Sequence, residues 1–577
     1  MRTHYFKIVT VLLLLFVTSC TSERTVQLTI IETSDVHGAI FPYDFSENKP
    51  MNTSLANVYS YVETARNTKG NVILLDNGDN LQGQPSVYYY NFLKTDGNHI
   101  LSDVMNFMRY DAASVGNHDI EAGHAVYDKI TKEYQFPLLA ANAIDTQTGN
   151  PYFIPYTIIE RENVKVAVLG MTNPRIPSWL PKNLWEGMTF EDVGESAREW
   201  VKYIQQKEKP HIMIGLFHVG FGDGNDEGED PGLYIAQNIP GFDIMLLGHD
   251  HTRKAMKVAN TLGDSVLILN PANAARFIAE ADITLNMKGR KVISKAISGK
   301  LVSMEDYPAD TTFMQAFSGA FDAVKSFVMK PIGELAKTIS SRDAYFGPSA
   351  FIDLIHGIQL SVAEADISFT APLSFESEIK AGTVRVLDMF KLYRYENMLY
   401  TMTLSGKEIK NYLEYSYGAW INEMTSPNDH LLLFGSDAES GKRGSFVVPP
   451  YNFDSSAGIL YEVDATKPAG SKIRIMSMAD KTPFDETQTY RVAINSYRGN
   501  GGGGHLEKGA GISPDEFSAR IVKSTDVDLR YYLMKWFEQQ EVVNPAPLNQ
   551  WKIVPDEWVL KAAKRDYEAL FPNSLQH

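Results

Sequence analysis

The chain has 577 residues, of which 54 are Lys or Arg and 70 are Asp or Glu, so its formal net charge is −16. This acidic balance argues against binding of nucleic-acid polymers, which requires a basic surface to displace counterions, and a 44% hydrophobic, 21% charged composition is typical of a globular protein. The single cysteine excludes an intrachain disulfide, a Cys-ligated zinc finger and an iron–sulfur cluster.

Residues 1–20 have the pattern of an export signal. Arg2 and Lys7 precede an apolar run at 8–17, which is too short for a membrane-spanning helix. The following Val17-Thr18-Ser19-Cys20 resembles a bacterial lipobox, in which the cysteine is lipidated. We therefore expect an exported lipoprotein that is anchored to a membrane at Cys20 and faces the periplasm or the cell surface. An ordinary signal peptide with a chance cysteine is the alternative.

Short apolar runs alternate with helical and polar stretches in the first half of the chain. Such runs predict strands buried on both faces and hence a layered α/β domain; they occupy residues 26–31, 71–76, 165–170, 212–217, 243–248 and 265–270. Residues 311–330 have helical periodicity and end before Pro331, which predicts a helix that connects two domains. We assign 25–300 to the first domain, 301–331 to the linker and 332–577 to a second α/β domain, which includes a helical segment at 526–540.

Asp, Asn and His side chains follow the predicted strands of the first domain, and the carboxyl ends of such strands converge on one edge of a sheet. Each residue alone is compatible with a turn or a solvated side chain. Together they predict a site for two metal ions, since two neighbouring metal ions can bind the attacking and leaving oxygens of a displacement at phosphorus. The mixture of imidazole, carboxylate and amide donors favours zinc, manganese or iron. The set is Asp35, His37, Asp79 as the bridging ligand, Asn117, His218, His249 and His251.

Four blocks in this region carry a family resemblance. Asp35-Val36-His37, Gly78-Asp79-Asn80, Gly116-Asn117-His118-Asp119 and Gly248-His249-Asp250-His251 resemble the motifs of calcineurin-like metallophosphoesterases. Their order and spacing resemble the secreted 5′-nucleotidase superfamily over nearly the whole mature chain. The resemblance implies four α/β/β/α layers in the first domain. It also implies one ion on Asp35, His37, Asp79 and His251, and another on Asp79, Asn117, His218 and His249.

The same resemblance implies that His118 stabilises charge or protonates the leaving oxygen. In the family this histidine is often paired with an aspartate three residues later. Here that position is Glu121. Glu121 is therefore a candidate catalytic residue, and the identity of the group that orients His118 stays open.

The second domain contains Tyr393-Arg394-Tyr395-Glu396-Asn397 and the segment NSYRGNGGGG at 495–504. Two opposed aromatic faces can hold a base, and a glycine run lets the backbone approach a ligand closely; alternatively, Tyr395 and Tyr497 are half-buried strand residues. Both segments resemble the nucleotide-binding domain of the same superfamily, most of all its 2′,3′-cyclic-nucleotide 2′-phosphodiesterase/3′-nucleotidase branch. The resemblance implies that Tyr395 and Tyr497 sandwich the base and that Asn397 binds its edge.

The expected function is therefore metal-dependent hydrolysis of nucleotides, first of 2′,3′-cyclic nucleotides and then of 3′-nucleotides. The 5′-nucleotidase branch typically has an Asn-Gly-Gly-x-Arg motif for the phosphate, whereas residues 371–375 read APLSF and lack arginine. This difference disfavours a plain 5′-nucleotidase. The alternatives are a 5′-nucleotidase or UDP-sugar hydrolase, and a non-catalytic nucleotide-binding surface lipoprotein. The complete ligand set argues against the last.

Overall fold

A computed structural model describes residues 23–225, 229–435 and 446–572. The predicted export signal and Cys20 lie outside these residues. Within them, every helix is too short or too polar to span a bilayer.

The first domain contains a strand at each of the six positions where the apolar runs predict one. Its strands are β1 (Glu23–Thr33), β2 (Tyr43–Asp44), β3 (Lys49–Pro50), β4 (Val72–Asp76), β5 (Ala112–Ser114), β6 (Leu138–Leu139), β7 (Ala143–Asp145), β8 (Tyr156–Arg161), β9 (Val164–Met171), β10 (Met188–Phe190), β11 (Ile212–Phe217), β12 (Ile244–Leu247), β13 (Arg253–Ala259), β14 (Ser265–Pro271), β15 (Phe277–Lys288) and β16 (Lys291–Ser303). Its helices are α1 (Leu55–Lys69), α2 (Pro85–Phe92), α3 (Ile100–Met108), α4 (Asn117–Glu121), α5 (His124–Glu133), α6 (Ile176–Trp179), α7 (Val193–Lys207), α8 (Gly232–Asn238), α9 (Thr311–Ala316) and α10 (Ser318–Val328).

Two six-stranded sheets pack face to face at the centre of this domain, in the orders β16-β15-β1-β4-β5-β6 and β13-β14-β12-β11-β9-β8. Because side chains alternate along a strand, Val26, Leu28 and Ile30 of β1 lie in the apolar layer between the sheets, whereas Ile31 belongs to the core beneath α1 and α3. Helices α7 and α8 cover the outer face of the second sheet. The expected α/β/β/α layering is confirmed.

The segment that the sequence predicts as one connecting helix consists of two helices, α9 and α10, which are separated at Phe317. Strand β16 also continues to Ser303, inside the range assigned to the linker. Phe313, Val324 and Val328 are buried in the core of the first domain. This segment is therefore part of the first domain's packing and leads directly into the second domain.

The second domain is built on a five-stranded sheet of order β23-β19-β26-β22-β27 and a three-stranded sheet of order β25-β24-β28. Its strands are β17 (Pro331–Leu335), β18 (Ile339–Ser340), β19 (Ile367–Thr370), β20 (Glu378–Ile379), β21 (Gly382–Arg385), β22 (Leu399–Ser405), β23 (Ser455–Ala457), β24 (Ile459–Asp464), β25 (Ile473–Met478), β26 (Thr489–Asn495), β27 (Ile521–Ser524) and β28 (Trp551–Val554). Its helices are α11 (Ala350–Ala363), α12 (Val386–Leu392), α13 (Gly406–Trp420), α14 (Ser496–Gly499), α15 (Phe517–Arg520), α16 (Leu529–Glu538) and α17 (Asp556–Leu570). The helical segment predicted at 526–540 is α16.

The two domains contact each other through buried polar and aromatic groups. The hydroxyl of Tyr88, on α2, donates to Asp528 Oδ2 at 3.1 Å, and the Arg530 guanidinium lies 4.9 Å from the centroid of the Tyr88 ring. Tyr88 is part of an apolar cluster whose other buried members belong to the second domain. These contacts fix the second domain against the face of the first that carries the strand ends.

Candidate metal centre and nucleotide site

The structure brings the seven predicted metal ligands together at the carboxyl ends of β1, β4, β5, β11 and β12. Two groups of three have their ligand atoms within 4.8 Å of one another: Asp35, His37 and His251, and Asp79, His218 and His249. His218 Nε2 connects the groups, because it lies 3.2 Å from Asp79 Oδ2 and 4.0 Å from Asp35 Oδ1. Asn117 Oδ1 lies 2.9 Å from His249 Nδ1 and so belongs to the second group.

Five of the seven residues have a left-handed backbone, with φ values of 50° at Asp35, 49° at His37, 58° at Asp79, 69° at His249 and 54° at His251. Non-glycine residues rarely adopt this conformation, and its cost of order 1–3 kcal/mol each is typical of functional sites. The loops hold one another in place, since Asp35 N–H donates to Gly78 O and His37 N–H donates to Asp79 O, both at 2.9 Å.

The space around Asp79 explains one glycine of the motifs. A Cβ atom at Gly116 would lie 2.1 Å from Asp79 Oδ1 and 2.4 Å from Asp79 N. This close approach allows the first turn of α4 to lie against Asp79, whose Oδ1 accepts from His118 N–H at 2.8 Å. Asn117, His118 and the carboxylate of Asp79 are thereby placed side by side.

The orientation of the imidazoles fits metal binding. His218 Nδ1 lies 2.6 Å from Asn77 O, and its buried Nε2 points to the Asp79 carboxylate at 3.2 Å. His37 Nδ1 similarly lies 3.1 Å from Gln82 O. In each ring the backbone carbonyl accepts a hydrogen bond from Nδ1–H, which leaves the Nε2 lone pair for the metal centre, as a metal ligand requires.

The charges of the site also favour cations. Burial alone would lower the pKa of His218, but Asp79 and Asp35 raise it to about 10. Burial alone would raise the pKa of Asp35, but His218 and His251 lower it to about 2. The raised pKa of His218 reports the negative potential of the two carboxylates, whereas the lowered pKa of Asp35 reports its pairing with the imidazoles. Together with the mixed imidazole, carboxylate and amide donors, this potential suits two divalent ions of the zinc, manganese or iron class.

Glu121 is the group that contacts His118. Glu121 Oε2 lies 2.5 Å from His118 Nδ1, in the position where the family often has an aspartate. Burial would lower the pKa of His118, but Asp79 and Glu121 raise it to about 9. A protonated imidazole held at Nδ1 can donate from Nε2 to a leaving oxygen.

Asp119 has a structural role that the sequence did not reveal. Its buried carboxylate accepts the backbone N–H groups of Asp79, Asn80, Leu81 and Gly116 at 2.8–3.1 Å. Asp119 thus fixes the loop that presents Asp79. Asp119 ends the Gly116-Asn117-His118-Asp119 block, and its membership of this block is the sequence feature that pointed to its importance.

In the second domain, Tyr395 follows α12 and Tyr497 lies on α14, and both rings are half-buried. A third half-buried tyrosine, Tyr451, packs edge-to-face on Tyr395 with ring centroids 6.4 Å apart; the sequence carries no motif that marks it. Asn397 is buried, and its amide donates to the Tyr393 hydroxyl at 3.4 Å. Its binding to a base edge therefore stays a prediction.

A buried ion pair supports the tyrosines. Arg498 Nε lies 3.0 Å from Asp454 Oδ2, and its guanidinium lies 5.3 Å from the centroid of Tyr497. The same guanidinium donates to Tyr451 O at 2.6 Å and to Gly502 O at 3.0 Å. Arg498 thus contacts Tyr451, Tyr497 and the glycine run and connects the three.

The metal centre and the glycine run meet at Trp179. Its ring stacks on the His249 imidazole, with centroids 5.4 Å apart and an interplanar angle of 20°. Its backbone carbonyl accepts from Asn500 Nδ2, in the second domain, at 3.4 Å. The candidate metal centre and the tyrosine-bearing segments therefore lie on the two sides of one domain contact.

Two family models match the chain. Residues 28–253 match the calcineurin-like phosphoesterase model, and residues 331–508 match the 5′-nucleotidase C-terminal domain model. The chain combines these two domains. It is thus a phosphoester hydrolase of the type that the sequence motifs predict, with a fold and a site suited to two divalent ions.

Curated relatives agree with this assignment, and a solved structure shares the fold. The trifunctional nucleotide phosphoesterase YfkN of Bacillus subtilis is 26% identical over 92% of this chain, which spans only 39% of that protein. A 2′,3′-cyclic-nucleotide 2′-phosphodiesterase/3′-nucleotidase of Yersinia enterocolitica is 24% identical over 94% of this chain and 90% of its own length. A crystal structure of a 5′-nucleotidase-like protein from Staphylococcus aureus shares the fold, with a TM-score of 0.77, 22% identity and coverage of 92% of this chain and 100% of that one.

Proposed function

We propose that this protein opens 2′,3′-cyclic nucleotides to 3′-nucleotides and then removes the 3′-phosphate, which releases a nucleoside. The observation that carries the proposal is the meeting of the metal centre and the tyrosine-bearing segments at Trp179 and Asn500. The similarity to the Yersinia enterocolitica protein, whose name states both activities, supports it. So does the stretch 371–375, which lacks arginine and whose Ala371 and Leu373 are buried in the core.

In the proposed mechanism, Asp35, His37, Asp79 and His251 would hold one divalent ion, and Asp79, Asn117, His218 and His249 would hold the other, as the family resemblance implies. Two bound divalent ions supply Lewis-acid stabilisation of charge on the phosphoryl oxygens. The chain's own contribution is to place the carboxylates of Asp35 and Asp79 beside the rings of His218 and His251, so that the phosphate approaches a preformed centre.

His118 acts on the leaving oxygen in both steps. In the first step, water adds to phosphorus, the bond to the 2′ oxygen breaks, and His118 Nε2 donates its proton to that oxygen. In the second step, another water adds, the bond to the 3′ oxygen breaks, and His118 again donates. The proton that each water loses restores the imidazolium, which Glu121 stabilises through Nδ1.

Tyr395 and Tyr497 hold the base in this proposal. Their rings are half-buried. Arg498 lies against the Tyr497 ring and donates to the backbone carbonyl of Tyr451, on which Tyr395 packs. Stacking on an aromatic ring contributes about 1–3 kcal/mol per base and tolerates any base, because every base has a π face. This arrangement favours a nucleotide substrate of broad base specificity.

Activity assays on several esters test the proposal. The purified protein is supplied with Mn²⁺ or Zn²⁺ and offered 2′,3′-cyclic AMP, 3′-AMP, 5′-AMP and bis-p-nitrophenyl phosphate in parallel. We expect turnover of the first two nucleotides and of the baseless ester. Hydrolysis of 5′-AMP alone would instead assign a 5′-nucleotidase, and binding without turnover of any ester would assign a nucleotide-binding lipoprotein.

For the location of the protein, we propose export and lipid anchoring at Cys20, as the lipobox-like sequence indicates. Cys20→Ser in the full-length chain should abolish lipidation and release the protein into the soluble periplasmic fraction. Fractionation followed by mass spectrometry of the N-terminal peptide measures both effects. Continued membrane association of the variant would contradict the lipid anchor.

A further inference from the structure

The four histidines of the candidate metal centre differ in how their second ring nitrogen is held. Three of them have this nitrogen beside a neutral group: His218 Nδ1 is 2.6 Å from Asn77 O, His37 Nδ1 is 3.1 Å from Gln82 O, and His251 Nδ1 is 3.1 Å from Asn273 Nδ2. His249 differs, because its Nε2 lies 2.7 Å from Glu229 Oε1. A carboxylate is therefore available to this imidazole alone among the four second-nitrogen contacts.

The contacts of His249 define which nitrogen faces the metal centre. Its Nδ1 lies 2.9 Å from Asn117 Oδ1, whereas Nε2 points to Glu229. Trp179 stacks on the face of the ring. The face of the imidazole is thus held by Trp179, and its two ring nitrogens are held by Asn117 and Glu229.

The backbone around Glu229 is anchored although its side chain is half exposed. Its carbonyl accepts from Asn173 Nδ2 at 3.0 Å. The next residue, Asp230, accepts the N–H of Gly220 at 2.8 Å. These two hydrogen bonds place the Glu229 carboxylate where it reaches His249.

We infer that Glu229 is a positioning residue for the second metal ion, which it serves by accepting the Nε2 proton of His249. This hydrogen bond selects the tautomer whose Nδ1 lone pair faces Asn117 and the metal centre. A carboxylate partner also makes an imidazole more basic and therefore a stronger metal ligand. The inference rests on the proposed role of His249 as a metal ligand and is independent of which nucleotide is the substrate.

Zinc binding to metal-stripped full-length protein tests this role without an activity assay. Competition with a chromophoric chelator should resolve two sites in the native protein. Glu229→Ala should weaken one site by about 10- to 100-fold, the usual effect of removing such a partner, and leave the other unchanged. Glu229→Gln should restore part of the affinity, because its amide oxygen can accept the same proton.

Asp223→Ala is the matched control, because this exposed acid of the same segment contacts Asn225 at 3.1 Å. It removes one negative charge and should leave both sites unchanged. The inference is overturned if Glu229→Ala binds both ions as the native protein does, or if Asp223→Ala weakens binding equally. His249→Ala tests the underlying assumption that His249 is a metal ligand. If this variant also keeps both ions, that assignment is wrong.

Discussion

The metal ligands of the first domain and the three tyrosines of the second are held in different ways. Asp35, Asp79 and His218 are fully or almost fully buried, and each contacts another member of the site. Tyr395 and Tyr497 are half-buried. Arg498, which pairs with Asp454, lies against the Tyr497 ring, and Tyr395 packs on Tyr451. Under the proposed function, the phosphate meets side chains on loops with a strained backbone, whereas the base meets more exposed aromatic rings.

The largest expected effect comes from Asp79, the residue that we propose binds both ions. Asp79→Ala removes this carboxylate and leaves the buried His218 Nε2 without the carboxylate that lies 3.2 Å from it. Because metal ions supply several kcal/mol of transition-state stabilisation, we expect phosphoesterase activity to fall by about 10³-fold or more. Metal analysis should show loss of at least one ion. Normal turnover with two ions bound would contradict the assignment.

The acid–base pair should have the next largest effect, and the loss should be greatest on esters with a poor leaving group. His118→Ala removes the proton donor, so we expect kcat to fall by about 10²- to 10⁴-fold on nucleotides, whose ribose oxygen needs a proton to leave, and by less on bis-p-nitrophenyl phosphate, whose nitrophenolate leaves more easily. Glu121→Gln keeps a hydrogen-bond acceptor and should reduce kcat less. Metal content serves as the control for both variants. A higher KM for nucleotides at unchanged kcat would instead place His118 in substrate recognition.

The sequence predicted the metal side of this comparison better than the tyrosine side. Asp35, Asp79, His218 and the other ligands follow strands whose apolar runs are visible, so their convergence follows from strand polarity alone. Asp119 could not be interpreted, because its role depends on the backbone conformation of residues 79–81. Tyr451 has no motif, and only tertiary packing brings it to Tyr395. The break at Phe317 had a signal in the following Ser318-Gly319, which the periodicity obscured.

The base-holding role predicts an effect that separates the two sides. Tyr395→Ala and Tyr497→Ala should each weaken nucleotide binding by about 1–3 kcal/mol, a factor of roughly 5 to 150 in affinity. Hydrolysis of bis-p-nitrophenyl phosphate, which has no base, should be nearly unchanged. Isothermal titration with 3′-AMP and steady-state kinetics with both esters measure this difference. If soluble, metal-replete variants lose activity on the baseless ester, the rings serve folding or catalysis.

The smallest expected effect concerns Tyr451. Variants of this residue distinguish a side chain that contacts the base directly from one that supports a ring in contact with the base. Tyr451 packs on Tyr395 edge-to-face, and such pairs contribute about 0.5–1.5 kcal/mol beyond the area they bury. Tyr451→Ala should therefore weaken nucleotide binding by about 2- to 12-fold, less than Tyr395→Ala. The hydrogen bond from Arg498 to the Tyr451 backbone carbonyl is retained in either variant.

Tyr451→Phe is the matched control, because it keeps the ring and removes only the hydroxyl. If Tyr451 acts by supporting Tyr395, this variant should bind nucleotides like the native protein, and the double variant Tyr395→Ala/Tyr451→Ala should bind no more weakly than Tyr395→Ala alone. Additive losses in the double variant would instead mean that Tyr451 contacts the base itself. Three tyrosine rings, those of Tyr395, Tyr451 and Tyr497, would then contact the base directly.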